Sequence, residues 1–447
     1  MRRINILSLF AILLTVVFLS GCASDSAKKP KYVFLFIGDG MSLPQRMVAE
    51  EFSRITGRGK LAINTLPNHA TTRTSSANAT ITDSAASATA IACGEKTNNG
   101  MIGLAPDGRK LQSVAEYAHG RSKKIGIITT VNINHATPSG FYGHRKSRNM
   151  YFELGCDLVA SNFEFFGGGG ILKYENNGKN IFDMAVANGY TVATGKNGIR
   201  DLKPGQKAIL LADSKSNAMP YSINAGKDIP TLADITGKAI EMLDNPAGFF
   251  IMVEGGAIDY AGHANEIAAN VYDTLAFDDA VKVALKFYEA HPEETLIIVT
   301  GDHETGAMTL GFAGHGYNLN FSLLAHQKCS IGAFQNILAA AKKANAKFDF
   351  EDAKKLMSEY FGFKFDGDKK DPLFIKPAEL EKLKKAFDSG KLPNAVKGIV
   401  NDKIGIHWSS GGHTALPVLT TSIGCQSELF TGFIENSDIS IKLKSIL

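Results

Sequence analysis

Tryptophan is almost missing from this 447-residue chain, which has one, and cysteine is sparse, with five. No two cysteines form a C-x-x-C pair, so a thiolate zinc site of the usual spacing is excluded. A chain this long buries enough apolar surface to fold without disulfide staples. Cys93, Cys156, Cys329 and Cys425 therefore admit zero, one or two bridges, and their spacing does not choose. There is no G-x-S-x-G elbow and no Ser-His-Asp order, which removes the common metal-free serine hydrolase arrangements. No basic block with interleaved aromatics occurs, and the net charge is only +4. Losing Arg2 and Arg3 with a leader would take 48 basic residues to 46 against 44 acidic ones, or +2. That balance gives nucleic acid no electrostatic footprint. Beyond residue 19 no apolar run is long enough to span a bilayer.

What is present begins at the N-terminus. Arg2 and Arg3 precede an apolar stretch from Ile4 to Leu19, which closes on Leu19-Ser20-Gly21-Cys22. This is the pattern of a secretory leader ending in a bacterial lipobox. It predicts residues 1–21 as signal peptide, Cys22 as the site of lipid attachment, and 22–30 as a lipidated tether. Residues 31–447 then form the folded body, held on the membrane by its lipid in an extracytoplasmic space of the cell envelope, periplasmic or surface-facing.

Along that body, short and nearly all-apolar runs recur at Val33–Ile37, Ile125–Ile128, Ile209–Leu211, Phe249–Val253 and Leu296–Val299. Runs of this kind, separated by helical stretches, read as buried strands of a mostly parallel sheet. Asn265–Ala290 has helical periodicity without glycine or proline and reads as a crossover helix. The expected fold is α/β, a three-layer helix–sheet–helix sandwich. A lysine-rich stretch without candidate ligands reads as an insertion at about 312–410. The glycines at 167–170 and 411–412 read as tight turns beside something functional or as plain loop.

Polar residues follow directly on three of the apolar runs: Gly38-Asp39-Gly40, then Glu254 with Asp259 and His263, then Gly301-Asp302-His303-Glu304. In open α/β sheets, ligands bind beyond the carboxyl ends of the strands. One such residue is as readily a helix cap; three sets at one edge are not. Asp259 and His263 lie four apart, on one face of a helical turn. Carboxylate and imidazole together suit Zn²⁺, and all-oxygen positions suit Mg²⁺. His413, hinged by Gly411 and Gly412, is a candidate late ligand. In Asp83-Ser84-Ala85-Ala86-Ser87-Ala88-Thr89 the small residues favour a closely packed helix with Ser84 at its N-terminus, where phosphate is favoured. A serine hydroxyl needs a base or a metal to become nucleophilic, and here the metal route is favoured.

The Asp83–Thr89 run resembles the active-site signature of the alkaline phosphatase family. Phe36 to Met41, Val253 to His263, Thr300 to Glu304 and Gly412 to Thr414 resemble its metal motifs, in the family's order. The resemblance covers about residues 31–430 and is weakest between about 312 and 405, where the family's crown-like segment would fall. It implies a phosphoric monoester hydrolase with two Zn²⁺ and one Mg²⁺ per chain. Asp259, His263 and His413 would hold the first zinc, and Asp39, Asp302 and His303 the second, beside the nucleophile Ser84. Asp39, Thr137 and Glu254 would hold magnesium. Arg148, eleven residues after Thr137, would clamp the substrate phosphate. His135 and Tyr260 stand near that phosphate where the bacterial enzyme usually taken as the type has aspartate and lysine. These departures put magnesium affinity and rate in question, not the reaction.

Phosphodiesterases, sulfatases and mutases of the same superfamily share the zinc frame, but their nucleophiles are threonine, formylglycine or a differently set serine. A non-catalytic phosphate-binding lipoprotein would explain the anchor but not a serine among so many ligands. The expected partners are small phosphate monoesters and the membrane, with no nucleic acid. A homodimer is left open.

Overall fold

The computed structural model describes residues 28–215 and 217–447. The leader, Cys22 and most of the tether lie outside the described residues. Ten strands form one sheet: β1 (Tyr32–Gly38), β2 (Asn68–Arg73), β3 (Lys124–Thr129), β4 (Phe165–Gly168), β5 (Tyr190–Thr194), β6 (Lys207–Leu211), β7 (Phe249–Glu254), β8 (Thr295–Gly301), β9 (Val418–Gly424) and β10 (Gly432–Glu435). Their order is β10-β2-β9-β8-β1-β7-β3-β4-β6-β5. All neighbours run parallel except β9, which is antiparallel to both β8 and β2.

The central strand shows why its sequence is apolar without alternation. Tyr32, Phe34 and Phe36 enter one core, while Val33, Leu35 and Ile37 enter another on the opposite face. A strand covered on both sides has no solvent face to make polar. Helices Leu232–Leu243 and Ile267–Ala290 pack on the first face. Helices Val114–His119, Tyr151–Ser161 and Asn436–Ile446 pack on the second. The sandwich therefore has the three layers expected.

A two-stranded antiparallel stem, Met308–Leu310 against Ile406–Trp408, brackets most of the lysine-rich segment. Between its strands stand helices Ile331–Ala344, Phe350–Phe361, Pro377–Asp388 and Leu392–Ile404. Their buried Phe334, Met357, Leu383 and Ile399 continue the same core as Phe34 and Phe277. The crossover helix is shorter than its periodicity suggests. Asn265 takes a positive φ of 52° and Glu266 is extended, so a separate short helix, Ala257–His263, precedes it. Gly167 and Gly168 are not turn residues but lie inside β4; a Cβ on Gly167 would fall 2.5 Å from the Ile235 side chain. The four described cysteines are all free thiols. Among the described residues, no helix is long and apolar enough to cross a membrane.

Candidate active site and metal centre

The parallel register sets the height of the site. Gly38 pairs with Gly301, Ile37 with Glu254, and Glu254 with Thr129, so four adjacent strands end level. The next residues, Asp39 and Asp302, thus emerge beside Glu254. Gly40 turns the chain at φ +68°, and its N–H donates to Asp302 Oδ1 at 3.1 Å. A Cβ there would lie 2.8 Å from Thr305 Oγ1 and 2.9 Å from Asp259 Oδ1, so only glycine leaves room.

Three sets of ligand-type side chains converge: Asp259 with His263 and His413, Asp39 with Asp302 and His303, and Asp39 with His135 and Glu254. In the first, His263 and His413 present their Nε2 atoms to each other at 3.2 Å, and to the Asp259 oxygens at 3.4 and 3.6 Å. His263 Nδ1 faces the Gly411 carbonyl at 2.8 Å, and His413 Nδ1 faces the Thr82 carbonyl at 2.9 Å. A carbonyl only accepts, so both Nδ1 atoms carry the proton and both Nε2 lone pairs point inward. Two facing lone pairs beside a carboxylate suit a cation. In the second set, His303 Nε2 is 3.4 Å from Asp39 Oδ1, 3.3 Å from Asp302 Oδ2 and 3.1 Å from Ser84 Oγ.

Ser84 opens the helix Ser84–Cys93. Asp83 caps it, accepting from Ala86 N–H at 2.9 Å through one oxygen. Its other oxygen accepts from Gly100 N–H at 3.0 Å and from Arg148 Nη1 at 3.1 Å. The small residues allow close packing: a Cβ on Gly140 would fall 2.9 Å from that of Ala88. Ser87 Oγ donates to the Asp302 carbonyl at 2.7 Å, tying the helix that begins with Ser84 to the loop that carries Asp302 and His303. Arg148 Nη2 lies 3.4 Å from His135 Nε2, and the Tyr260 ring meets the His135 ring edge-on at 5.9 Å. Asp39, Ser84, His135, Arg148, Glu254, Asp259, Tyr260, His263, Asp302, His303 and His413 are therefore brought together.

The electrostatics fit divalent cations. Asp39 Oδ1 and Oδ2, Asp302 Oδ2, Glu254 Oε1, His135 Nδ1 and Thr137 Oγ1 are buried without a hydrogen-bond partner. Buried carboxylates without donors are costly unless paired with positive charge. Burial, reinforced by Asp302, Asp259 and Glu254, pushes the Asp39 carboxyl well above its ordinary range. Burial and Asp259 do the same to Asp302, and burial takes Glu254 up to about 7. Burial and then the neighbouring His413 and Arg148 hold His303 well below its ordinary value, and burial plus Arg148 bring His135 down to about 3. A low imidazole pKa keeps nitrogen lone pairs free for metal, and a divalent ion would offset the repulsion among the acids.

Two further residues take part in ways that spacing does not show, although Glu304 stands in a run the sequence singles out. Glu304, fully buried, accepts from Gln45 Nε2 at 3.0 Å, from Ala307 N–H at 3.1 Å and from the Thr414 hydroxyl. It thereby fastens the segment carrying His413 to the one carrying His303. Thr129 donates a hydrogen bond to Glu254. Only its position at the end of an apolar strand could have drawn attention to it.

The sequence model of the alkaline phosphatase family matches residues 30–164 and 173–447. The chain is 30% identical over 430 residues to alkaline phosphatase 3 of Bacillus subtilis (strain 168), covering 92% of this chain and 87% of the relative. The crystal structure of a cold-active alkaline phosphatase from the psychrophile Shewanella sp. superposes with a TM-score of 0.82 at 28% identity, over 93% of this chain and 99% of that one. A mutant alkaline phosphatase from the Antarctic bacterium TAB5, with Mg bound in its M3 site, matches at a TM-score of 0.68 and 28% identity, over 94% of this chain and 99% of that one. The chain belongs to the alkaline phosphatase family, and its activity is that of a phosphatase.

Proposed function

We propose that this phosphatase hydrolyses phosphate monoesters outside the cytoplasm by double displacement through Ser84. The observation that carries the reading is the seat of Ser84 Oγ. It stands at the start of a ten-residue helix and 3.1 Å from His303 Nε2, in the set that also holds Asp39 and Asp302. Two Zn²⁺ are assigned to Asp259, His263 and His413 and to Asp39, Asp302 and His303, with Ser84 facing the second. One Mg²⁺ is assigned to Asp39, Glu254 and Thr137, with His135 adjoining. Bound there, these ions would supply Lewis-acid stabilisation of charge on the attacking and leaving oxygens and would lower the pKa of the serine hydroxyl.

The chain's own residues do the rest. The helix N-terminus and the Arg148 fork orient the phosphate dianion, the guanidinium matching two of its oxygens. Ser84 Oγ forms a bond to phosphorus as the bond to the substrate alcohol breaks, and the alcohol leaves with a proton. Water then attacks the phosphoserine, releasing inorganic phosphate and restoring the Ser84 hydroxyl. Asp83 keeps both nucleophile and clamp in place, because it caps the one's helix and holds the other's guanidinium.

Acid quenching during turnover of a phosphorus-labelled aryl monoester should leave label on the peptide containing Ser84. Ser84→Ala should carry none while keeping its zinc, and diesters should be poor substrates. A wild-type enzyme that turns over and never carries label would refute the covalent route.

A further inference from the structure

The Thr305 hydroxyl touches a candidate ligand from each of the two proposed zinc sets. Thr305 Oγ1 lies 2.6 Å from Asp259 Oδ1 and 3.3 Å from His303 Nδ1. Asp259 belongs to the set with His263 and His413, and His303 to the set with Asp39 and Asp302. Thr305 is fully buried, and its backbone N–H donates to the Gly40 carbonyl, next to Asp39, at 3.2 Å. On the short ladder Glu304–Thr305 against His413–Thr414, its register partner is His413. One residue thus sits against ligands of both sets and between the segments that carry them.

We infer that the Thr305 hydroxyl is a positioning residue that joins the two zinc sets and selects the metal-binding tautomer of His303. A hydroxyl has one proton. At 2.6 Å from a carboxylate oxygen, which only accepts, that proton is committed to Asp259. The remaining contact, with His303 Nδ1, must then run the other way, with the ring N–H donating to Thr305 Oγ1. That places the proton on Nδ1 and leaves the Nε2 lone pair facing Ser84, Asp39 and Asp302. The opposite tautomer would put an N–H into that set and leave no nitrogen lone pair for a metal. The same bond orients Asp259, so a change at Thr305 reaches both sets together. The surroundings reserve this position: a Cβ on Gly40 would come 2.8 Å from the hydroxyl, and one on Gly262 would lie 3.1 Å from Thr305 Cβ.

This inference rests on the proposed zinc reading, and its test separates the two. Zinc affinity of the purified enzyme is measured by competition with a chromophoric chelator for wild type, Thr305→Val, which keeps the shape and removes the hydroxyl, and Thr305→Ser, which keeps the hydroxyl. Thr305→Val should bind zinc roughly 10- to 100-fold more weakly, the range typical of outer hydrogen-bond partners of metal ligands. Both proposed sites should weaken, and Thr305→Ser should return to within a few-fold of wild type. The metal-free proteins should unfold at similar temperatures, because a merely structural defect would lower that midpoint without needing the hydroxyl. If Thr305→Val does not fold, Thr305→Ala is compared with Thr305→Ser in its place. Wild type binding two zinc ions tightly, with the hydroxyl-free variant matching it, overturns the role of Thr305 alone. Wild type failing to bind zinc overturns the metal reading and this inference with it.

Discussion

Arg148 shows how much of the site depends on single side chains. Its guanidinium is held from one side by Asp83 at 3.1 Å and stands 3.4 Å from His135 Nε2, so its direction is fixed before substrate arrives. Two charge-assisted hydrogen bonds to phosphate are worth about 1.5–3 kcal/mol each. Arg148→Ala should therefore lower kcat/KM by about 100-fold or more and raise the inhibition constant for phosphate, with zinc content unchanged. Arg148→Lys should recover only part of the loss, since an ammonium cannot make the fork. An unchanged phosphate inhibition constant would remove Arg148 from the clamp. At this scale the acids and imidazoles were legible because carboxylates and histidines stand out where apolar strands stop. Thr305, Gln45 and the Thr82 carbonyl were not. Hydroxyls, amides and carbonyls occur everywhere, and only three-dimensional proximity gives them a role.

The elements were legible in proportion to their burial. β1, β3, β6, β7 and β8 are covered on both faces and therefore read as unbroken apolar runs. β2 reads Asn-His-Ala-Thr-Thr-Arg and alternates between buried and exposed, so it gives no such run. β4, β5 and β10 are four or five residues long, and the apolar run of β9 is interrupted by the buried polar residues Thr420, Thr421 and Ser422. The insertion was visible as a change of composition, but its attachment was not. Glu266 helps fasten it, accepting from Ile331 N–H at 2.7 Å and Gln327 Nε2 at 3.3 Å. Burial, opposed by those donors, raises its carboxyl from 4.5 to about 7. Below about pH 4.5 the group is protonated in both folded and unfolded chains and imposes no penalty. As pH rises toward 7 the unfolded chain releases its proton first, so the folded state loses up to about 3 kcal/mol, and above 7 the loss stays constant. Glu266→Gln should flatten that part of the stability profile, measured by urea unfolding between pH 4.5 and 8. A variant with the wild-type slope would assign the pH dependence to other groups.

At the scale of the whole molecule, one sheet edge gathers residues from 39 to 413 into one site, and the register of β1, β7 and β8 does that gathering. A leader and a lipid would then decide only where the site works. Cys22→Ser is expected to move the protein from the membrane fraction to the soluble fraction with specific activity intact. Wild-type protein without lipid mass, found in the soluble fraction, would contradict the anchor. The central claim is that Ser84 itself attacks phosphorus, and the stereochemical course at phosphorus tests it most directly. With an isotopically chiral monoester and an alcohol acceptor, two successive in-line displacements should return product with retained configuration. Inverted product from the wild-type enzyme would mean direct transfer in one step and would contradict the account.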